Sequence, residues 1–215
     1  ELRTPLAAIR GFVETLADDE AGGDPKVRHR FLKVMNDEAR RMERLIEELL
    51  SLSRIEADRF VLPETRIKLA ELLREVGGET VSKDGHSFAA LDLQIEAEPK
   101  VRGDRAQLRQ VLHNLIDNAR RYGDPDAPVT ARLWTDRDTA MLSVTDRGPG
   151  ISAQHLPRLT ERFYRVDAAR SRASGGTGLG LAIVKHIIDR HRGQIDIRSE
   201  LGTGTTVTIE LPVAR

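Results

Sequence analysis

Gly175-Gly176-Thr177-Gly178-Leu179-Gly180 runs without a break into Leu181-Ala182-Ile183-Val184, and the reading of this stretch decides the fold. A glycine cluster that passes at once into apolar residues of helical type sets free backbone amides at the positive end of a helix, an arrangement suited to phosphate oxygens. Two familiar glycine-rich classes fit it badly. No Gly-Lys-Ser/Thr ending follows, so it is not a Walker loop. Irregular chain rather than a strand precedes it, which disfavours a dinucleotide-binding βαβ unit. A flexible linker would not enter a helix so abruptly.

Upstream, an irregular segment over residues 148–176 follows Asp146-Arg147-Gly148-Pro149-Gly150, which stands at the end of an expected strand over 140–145. A carboxylate there can accept a hydrogen bond from an exocyclic amine, and the glycines let the backbone pass close under a flat base. Alone, Gly-Pro-Gly after a strand signals only a turn. Further back, Asp104 caps a helix that runs through about Tyr122, and its Asn114 and Asn118 lie one turn apart on a shared face. An amide oxygen is a hard neutral ligand suited to Mg²⁺, although an isolated Asn pair is usually a cap or a surface feature. A helix over 69–76, strands over 91–97, 129–135, 194–199 and 205–211, and a helix over 179–191 complete the pattern. Helices and strands mix without strict alternation. That predicts an α+β sandwich, a helical layer on a mostly antiparallel sheet, rather than a doubly wound fold.

Before Pro63 the pattern is different. Leu2, Leu6, Ile9, Val13 and Leu16 fall at spacings of 4, 3, 4 and 3, with Leu2, Ile9 and Leu16 at d and Leu6 and Val13 at a. Ala21-Gly22-Gly23 ends this helix, while Asp24 as N-cap and Pro25 at the first helical position begin another. Phe31, Met35, Met42, Leu45, Leu49 and Leu52 continue the seam to about Ala57, interrupted at Glu38. So short a connection forces an antiparallel hairpin. Ile46 and Leu50 broaden the stripe beyond what two helices bury, which predicts a homodimeric four-helix bundle, with a hairpin packed on its own second domain as the alternative. The heptad phase puts Glu1 at c, Thr4 at f and the position before Glu1 at b, all on the outer face. Pro5, which has no amide hydrogen, is expected to loosen the helix beneath them. The domains read as a hairpin over 1–60, a linker over 61–66 and an α+β domain over 67–215.

Bulk properties narrow the field further. Lys+Arg 34 balance Asp+Glu 34 in 215 residues, so no net charge draws the chain to nucleic acid or to an anionic membrane. Zero Cys excludes disulfides and thiolate metal sites. No run approaches the roughly 18–20 apolar residues of a membrane span. The six histidines lack any catalytic motif or zinc-ligand spacing and are expected in surface or structural roles.

The order of these features is specific. Asn114 and Asn118, then Asp146-Arg147-Gly148-Pro149-Gly150, then Glu161-Arg162-Phe163-Tyr164-Arg165, then Gly176-Thr177-Gly178-Leu179-Gly180 resembles the ATP-binding domain shared by histidine kinases, DNA gyrase, the ninety-kilodalton heat-shock chaperones and mismatch-repair ATPases. With Glu1-Leu2-Arg3-Thr4-Pro5-Leu6 on a dimerising hairpin, the chain resembles the sensor histidine kinases. Residues 7–16 and Ser51-Leu52-Ser53-Arg54-Ile55-Glu56 look most like the phosphate-regulon sensor kinases.

The resemblance implies ATP and Mg²⁺ as cofactors, with Asn118 on the metal and Asn114 beside metal and phosphates. It implies that Asp146 holds the adenine amino group next to Gly148 and Gly150. Gly176, Thr177, Gly178, Leu179 and Gly180 would line the phosphates under a lid over 151–176, with Tyr122 also at the nucleotide. Arg121 sits where the family commonly has a phosphate-reaching Lys, and Arg165 is a second phosphate contact. Phe163 is either a lid anchor or a core aromatic. The acceptor histidine is expected immediately before Glu1, making this sequence a piece of a longer protein that cannot phosphorylate itself. Glu1 would take the proton or orient the ring, and Thr4 would orient water for dephosphorylating a partner. That partner is implied to be a response-regulator receiver domain. The location implied is a cytoplasmic domain whose parent is anchored in the bacterial inner membrane. The competing reading is an ATP-binding dimeric regulator without autokinase activity.

Overall fold

The computed structural model describes residues 2–17, 24–57, 62–79, 90–167 and 176–214. Helix α1 (Arg3–Leu16) and helix α2 (Pro25–Ala57) form the N-terminal hairpin. Asp24 caps α2 as its position predicts: Oδ1 accepts the Lys26 amide at 2.8 Å, and its carbonyl accepts the Arg28 amide at 2.9 Å. Pro5 falls in the first turn of the described helix and is buried. The turn over 18–23 and Glu1 lie outside the described residues.

Within the single hairpin the helices cover only part of the heptad stripe. Pro5, Ile9, Phe12 and Leu16 are the covered positions of α1, whereas Leu2, Leu6 and Val13 are exposed, Leu6 by 57%. Within the hairpin Phe12 meets Phe31 with ring centroids 5.0 Å apart. On α2, Leu45, Leu52 and Ile55 are buried, while Leu32, Ile46 and Leu50 face outward. Glu38, which interrupts the apolar pattern, pairs at 3.5 Å with the buried Arg41 three residues on.

Beyond α2 come β1 (Arg66–Lys68), α3 (Leu69–Glu79), β2 (Leu91–Ile95), β3 (Lys100–Arg102) and α4 (Arg105–Tyr122). They are followed by β4 (Val129–Asp136), β5 (Thr139–Asp146), a 3₁₀ turn (Leu156–Arg158), α5 (Gly180–Arg190), β6 (Gln194–Glu200) and β7 (Gly204–Pro212). Five strands form one sheet in the order β2-β4-β5-β7-β6. Only β2 and β4 run parallel, and the other neighbours are antiparallel. Leu133, Leu142 and Ile209 on one face of the sheet meet Leu108, Leu112, Leu115, Ile183 and Ile187 of the helical layer in a continuous core. The other face is partly open, with Arg132 stacked 4.7 Å over the Trp134 ring. This is the two-layer α+β arrangement that the mixed pattern predicts. Strands β1 and β3 pair separately and antiparallel.

The hairpin rests on the second unit. The C-terminal half of α2 packs on α5, and Ser51 Oγ donates to Gln110 Oε1 of α4 at 3.0 Å. Arg162 pairs with Glu56 of α2, and His186 Nε2 lies 3.4 Å from the same carboxylate.

Candidate active site

Strand β5 delivers Asp146 to the edge of the helical layer, where it is 9% exposed. Its Oδ1 accepts the Gly148 amide at 2.8 Å, and the Thr205 backbone also hydrogen-bonds the carboxylate. Burial raises the Asp146 pKa above the ordinary aspartate value, and those two backbone bonds partly oppose it. The glycines beside it are there by necessity. A Cβ at Gly148 would lie 2.5 Å from the Tyr122 carbonyl oxygen, and one at Gly150, whose φ is +70°, would lie 2.0 Å from that of Glu200. The result is a buried acceptor next to bare backbone, which suits a flat ring carrying an amine.

Helix α4 holds the asparagines against the start of α5. Asn114 Nδ2 donates to the Gly180 carbonyl at 3.2 Å, and a Cβ at Gly180 would sit 3.8 Å from Asn118 Nδ2. The two residues picked out on α4 thus meet the glycine stretch that follows them by more than sixty positions. Thr177 is buried, and its Oγ1 accepts the Leu179 amide at 3.3 Å while donating to Glu48 of α2. Arg165 Nη2 donates to the Gly176 carbonyl. Gly178, at φ +78°, stacks its backbone on Phe163, itself at φ +63°, and accepts the Phe163 amide at 2.9 Å. The buried Leu179 side chain anchors the loop to the core.

The side chains of the remaining expected residues are exposed. Arg121 and Tyr122 are exposed at the end of α4, and Thr4 is exposed on α1. Phe163 is no core aromatic. It lines a groove of about 450 Å³ with Leu2, Arg3, Leu45 and Leu49, at the base of the hairpin. Part of the expected lid, residues 168–175, lies outside the described residues, as does Glu1. Glu48 is the member of the site that sequence reasoning missed. Its only signal is a carboxylate set among the apolar positions Leu45, Leu49 and Leu52.

The donor set fits a metal that arrives with its substrate. Among the described residues no three His, Cys, Asp or Glu side chains cluster as a metal cage. An amide oxygen from Asn118 is the kind of single protein ligand that Mg²⁺ accepts when phosphates and water supply the rest.

Fold and site together define an ATPase domain of the histidine kinase, gyrase and heat-shock chaperone type, joined to a helical hairpin. Residues 103–215 match the family described as histidine kinase-, DNA gyrase B- and HSP90-like ATPase, and residues 1–58 match the His Kinase A (phospho-acceptor) domain. The chain belongs to the sensor histidine kinases, as a catalytic core related to the PhoR-like members. It is 39% identical over 215 residues to the phosphate regulon sensor protein PhoR of Pseudomonas aeruginosa, covering 100% of this chain and 48% of that protein. It is 37% identical over 218 residues to the sensor protein SrrB of Staphylococcus aureus, covering 99% of this chain and 36% of SrrB. The chain therefore spans half or less of the length of these relatives. Among solved structures, the mycobacterial sensor histidine kinase MprB superposes with a TM-score of 0.60 at 29% identity over 70% of this chain and 97% of that one. The Acinetobacter baumannii histidine kinase AdeS gives 0.75 at 24% identity over 100% of this chain and 98% of its own, a likeness of fold. Among the described residues no helix is long and apolar enough to cross a membrane.

Proposed function

We propose that the chain is the ATP-binding and phosphotransfer core of a protein-histidine kinase that relays a phosphoryl group to an aspartate of a response regulator. The observation that carries this reading is the convergence of Asn114 and Asn118 on Gly180, with the buried Asp146 standing beside Gly123 at the C-terminal end of the same helix. Asp146 accepts the adenine amino group, and Gly148 and Gly150 lie beside the base. Gly176, Thr177, Gly178, Leu179 and Gly180, with Arg121 and Arg165, face the phosphates, and Tyr122 borders the nucleotide. Asn118 holds Mg²⁺, with Asn114 beside it. The metal supplies charge neutralisation on the phosphates, which leaves positioning as the protein's main task.

A neutral imidazole at the position before Glu1 attacks the γ-phosphorus, the bond to the ADP oxygen breaks, and Glu1 takes or orients the imidazole proton. Thr4, exposed on α1, orients the water that removes phosphate from the partner. Residues 1–60 form the dimerising hairpin, 61–66 the linker and 67–215 the ATP-binding domain. The outward Leu2, Leu6, Val13, Leu32, Ile46 and Leu50 form the face for a second copy. The working location is the cytoplasmic side of a bacterial inner membrane, with the anchor supplied by another part of the parent.

The test is labelling with radioactive ATP and Mg²⁺. A polypeptide beginning at Glu1 is expected to bind ATP and take no label, and one with His placed before Glu1 is expected to gain acid-labile label. ATP binding without such label in the His-bearing polypeptide would sink the kinase reading and favour a dimeric regulator that lacks autokinase activity.

A further inference from the structure

Glu48 lies on α2, outside the ATPase domain, yet its carboxylate accepts the hydroxyl proton of Thr177 in the glycine loop. It is half-buried. Burial pushes its pKa above the ordinary glutamate value, although the Thr177 bond and the guanidinium groups of Arg121, Arg44 and Arg165 pull the other way. A carboxylate on an open helix face would keep its water. This one, half-buried, takes a loop hydroxyl and feels the charge of two arginines, Arg121 and Arg165, that the nucleotide reading assigns to phosphate. A second acidic contact offers a contrast. Glu56, further along α2, pairs with Arg162 and His186, neither of which belongs to the phosphate set.

We infer that Glu48 is an internal stand-in for nucleotide phosphate: its carboxylate holds the phosphate loop to α2 when ATP is absent, and the phosphates of ATP displace it. The inference rests on the nucleotide reading of the loop. Thr177 has one hydroxyl proton to donate, so it can serve Glu48 or a phosphate oxygen but not both. The two arginines have donors enough for both, but their charge draws phosphate to the side of Glu48, where two anionic groups repel. Nucleotide binding thereby loosens one contact between the hairpin and the ATPase domain. The contact lies within one chain, so this exchange needs no second copy.

The test is calorimetric titration of the whole chain with ATP, ADP, AMP and adenosine in Mg²⁺ buffer, for wild type, E48Q, E48A and E56Q. Because a like charge is removed, E48Q and E48A are expected to bind ATP about tenfold tighter, with smaller gains for ADP and AMP and none for adenosine. E56Q is expected to show no such grading with phosphate charge. A merely structural Glu48 would shift all four ligands equally. An equal shift, or no gain for ATP in either variant, overturns the inference while leaving the nucleotide reading intact. A wild-type chain that binds none of the four overturns the nucleotide reading and this inference together. Thermal melting of each variant identifies a folding defect, and E48Q, isosteric with Glu, retains an acceptor for Thr177.

Discussion

Asp146→Asn should stabilise the empty protein and weaken its hold on ATP, opposite effects from one atom pair. The carboxylate is 9% exposed, and its raised pKa reflects the cost of burying charge. Asparagine keeps the shape and one acceptor oxygen, whose two lone pairs can serve the Gly148 amide, 2.8 Å away, and the Thr205 backbone donor. Removing the charge should gain about 1 kcal/mol in the empty state, or about 2–4 °C in melting temperature for a chain of this size. The second carboxylate oxygen becomes an NH2 group, which donates and so cannot receive the adenine amine. Losing a charge-assisted hydrogen bond costs about 1.5–3 kcal/mol, roughly 10- to 150-fold in Kd. At ATP one hundred times the wild-type Kd, wild type gains about 2.7 kcal/mol, whereas a variant one hundred-fold weaker gains about 0.4 kcal/mol. Melting curves with and without ATP and Mg²⁺ read both effects. A variant that melts lower than wild type when empty yet keeps the full ATP shift would refute the reasoning on both counts.

Two glycines should respond oppositely to alanine. Gly150 sits at φ +70° with a Cβ position 2.0 Å from the Glu200 oxygen, so G150A should lower the melting temperature and abolish the ATP shift, while G78A, with open space around it in α3, should stabilise by about 0.5–1 kcal/mol in urea unfolding. His191 Nε2 accepts the Asp104 amide at 3.0 Å, its Nδ1 meets the Ile187 carbonyl at 2.7 Å, and burial lowers its pKa below 6.5. The unfolded chain therefore binds the proton first, and stability from this residue is present above pH 6.5 and lost as pH falls through the window beneath it. Urea midpoints at pH 7.5 and 5.5 should differ less in H191Q than in wild type, and an equal difference would discard the assignment. L6E combined with I46E should shift the solution mass from twice 24.0 kDa toward 24.0 kDa by light scattering, and an unchanged mass would exclude the exposed stripe as the dimer face.

What could be read before any coordinates follows from how local its cause is. Asp104 and the apolar period of α4 settle that helix within one or two residues, because a cap and a 3.6-residue repeat are properties of neighbouring positions. The glycines at 148, 150 and 178 are legible for the same reason, since backbone clearance leaves no other residue in place. Strands β1 and β3, three residues each with one buried side chain, Ile67 and Val101, are too short to show a period. The choice between Val13 and Phe12 for the hairpin seam depends on Phe31, which stands on the other helix. Glu48 was hidden most completely. Its place among Leu45, Leu49 and Leu52 hints at partial burial, but only the docking of α2 on α5 brings it to Thr177.

Helix α2 carries its two kinds of contact on opposite sides. At about 100° per residue, Leu32, Ile46 and Leu50 lie roughly 160–200° around the axis from Glu48. The helix is in effect an axle with a separate load on each flank. Turning it to change what rests against the apolar flank also turns Glu48 against the glycine loop, because both ride on one rigid shaft. A rotation of α2 would therefore move both contacts together, whereas phosphate arriving at the loop would release only the Glu48 side.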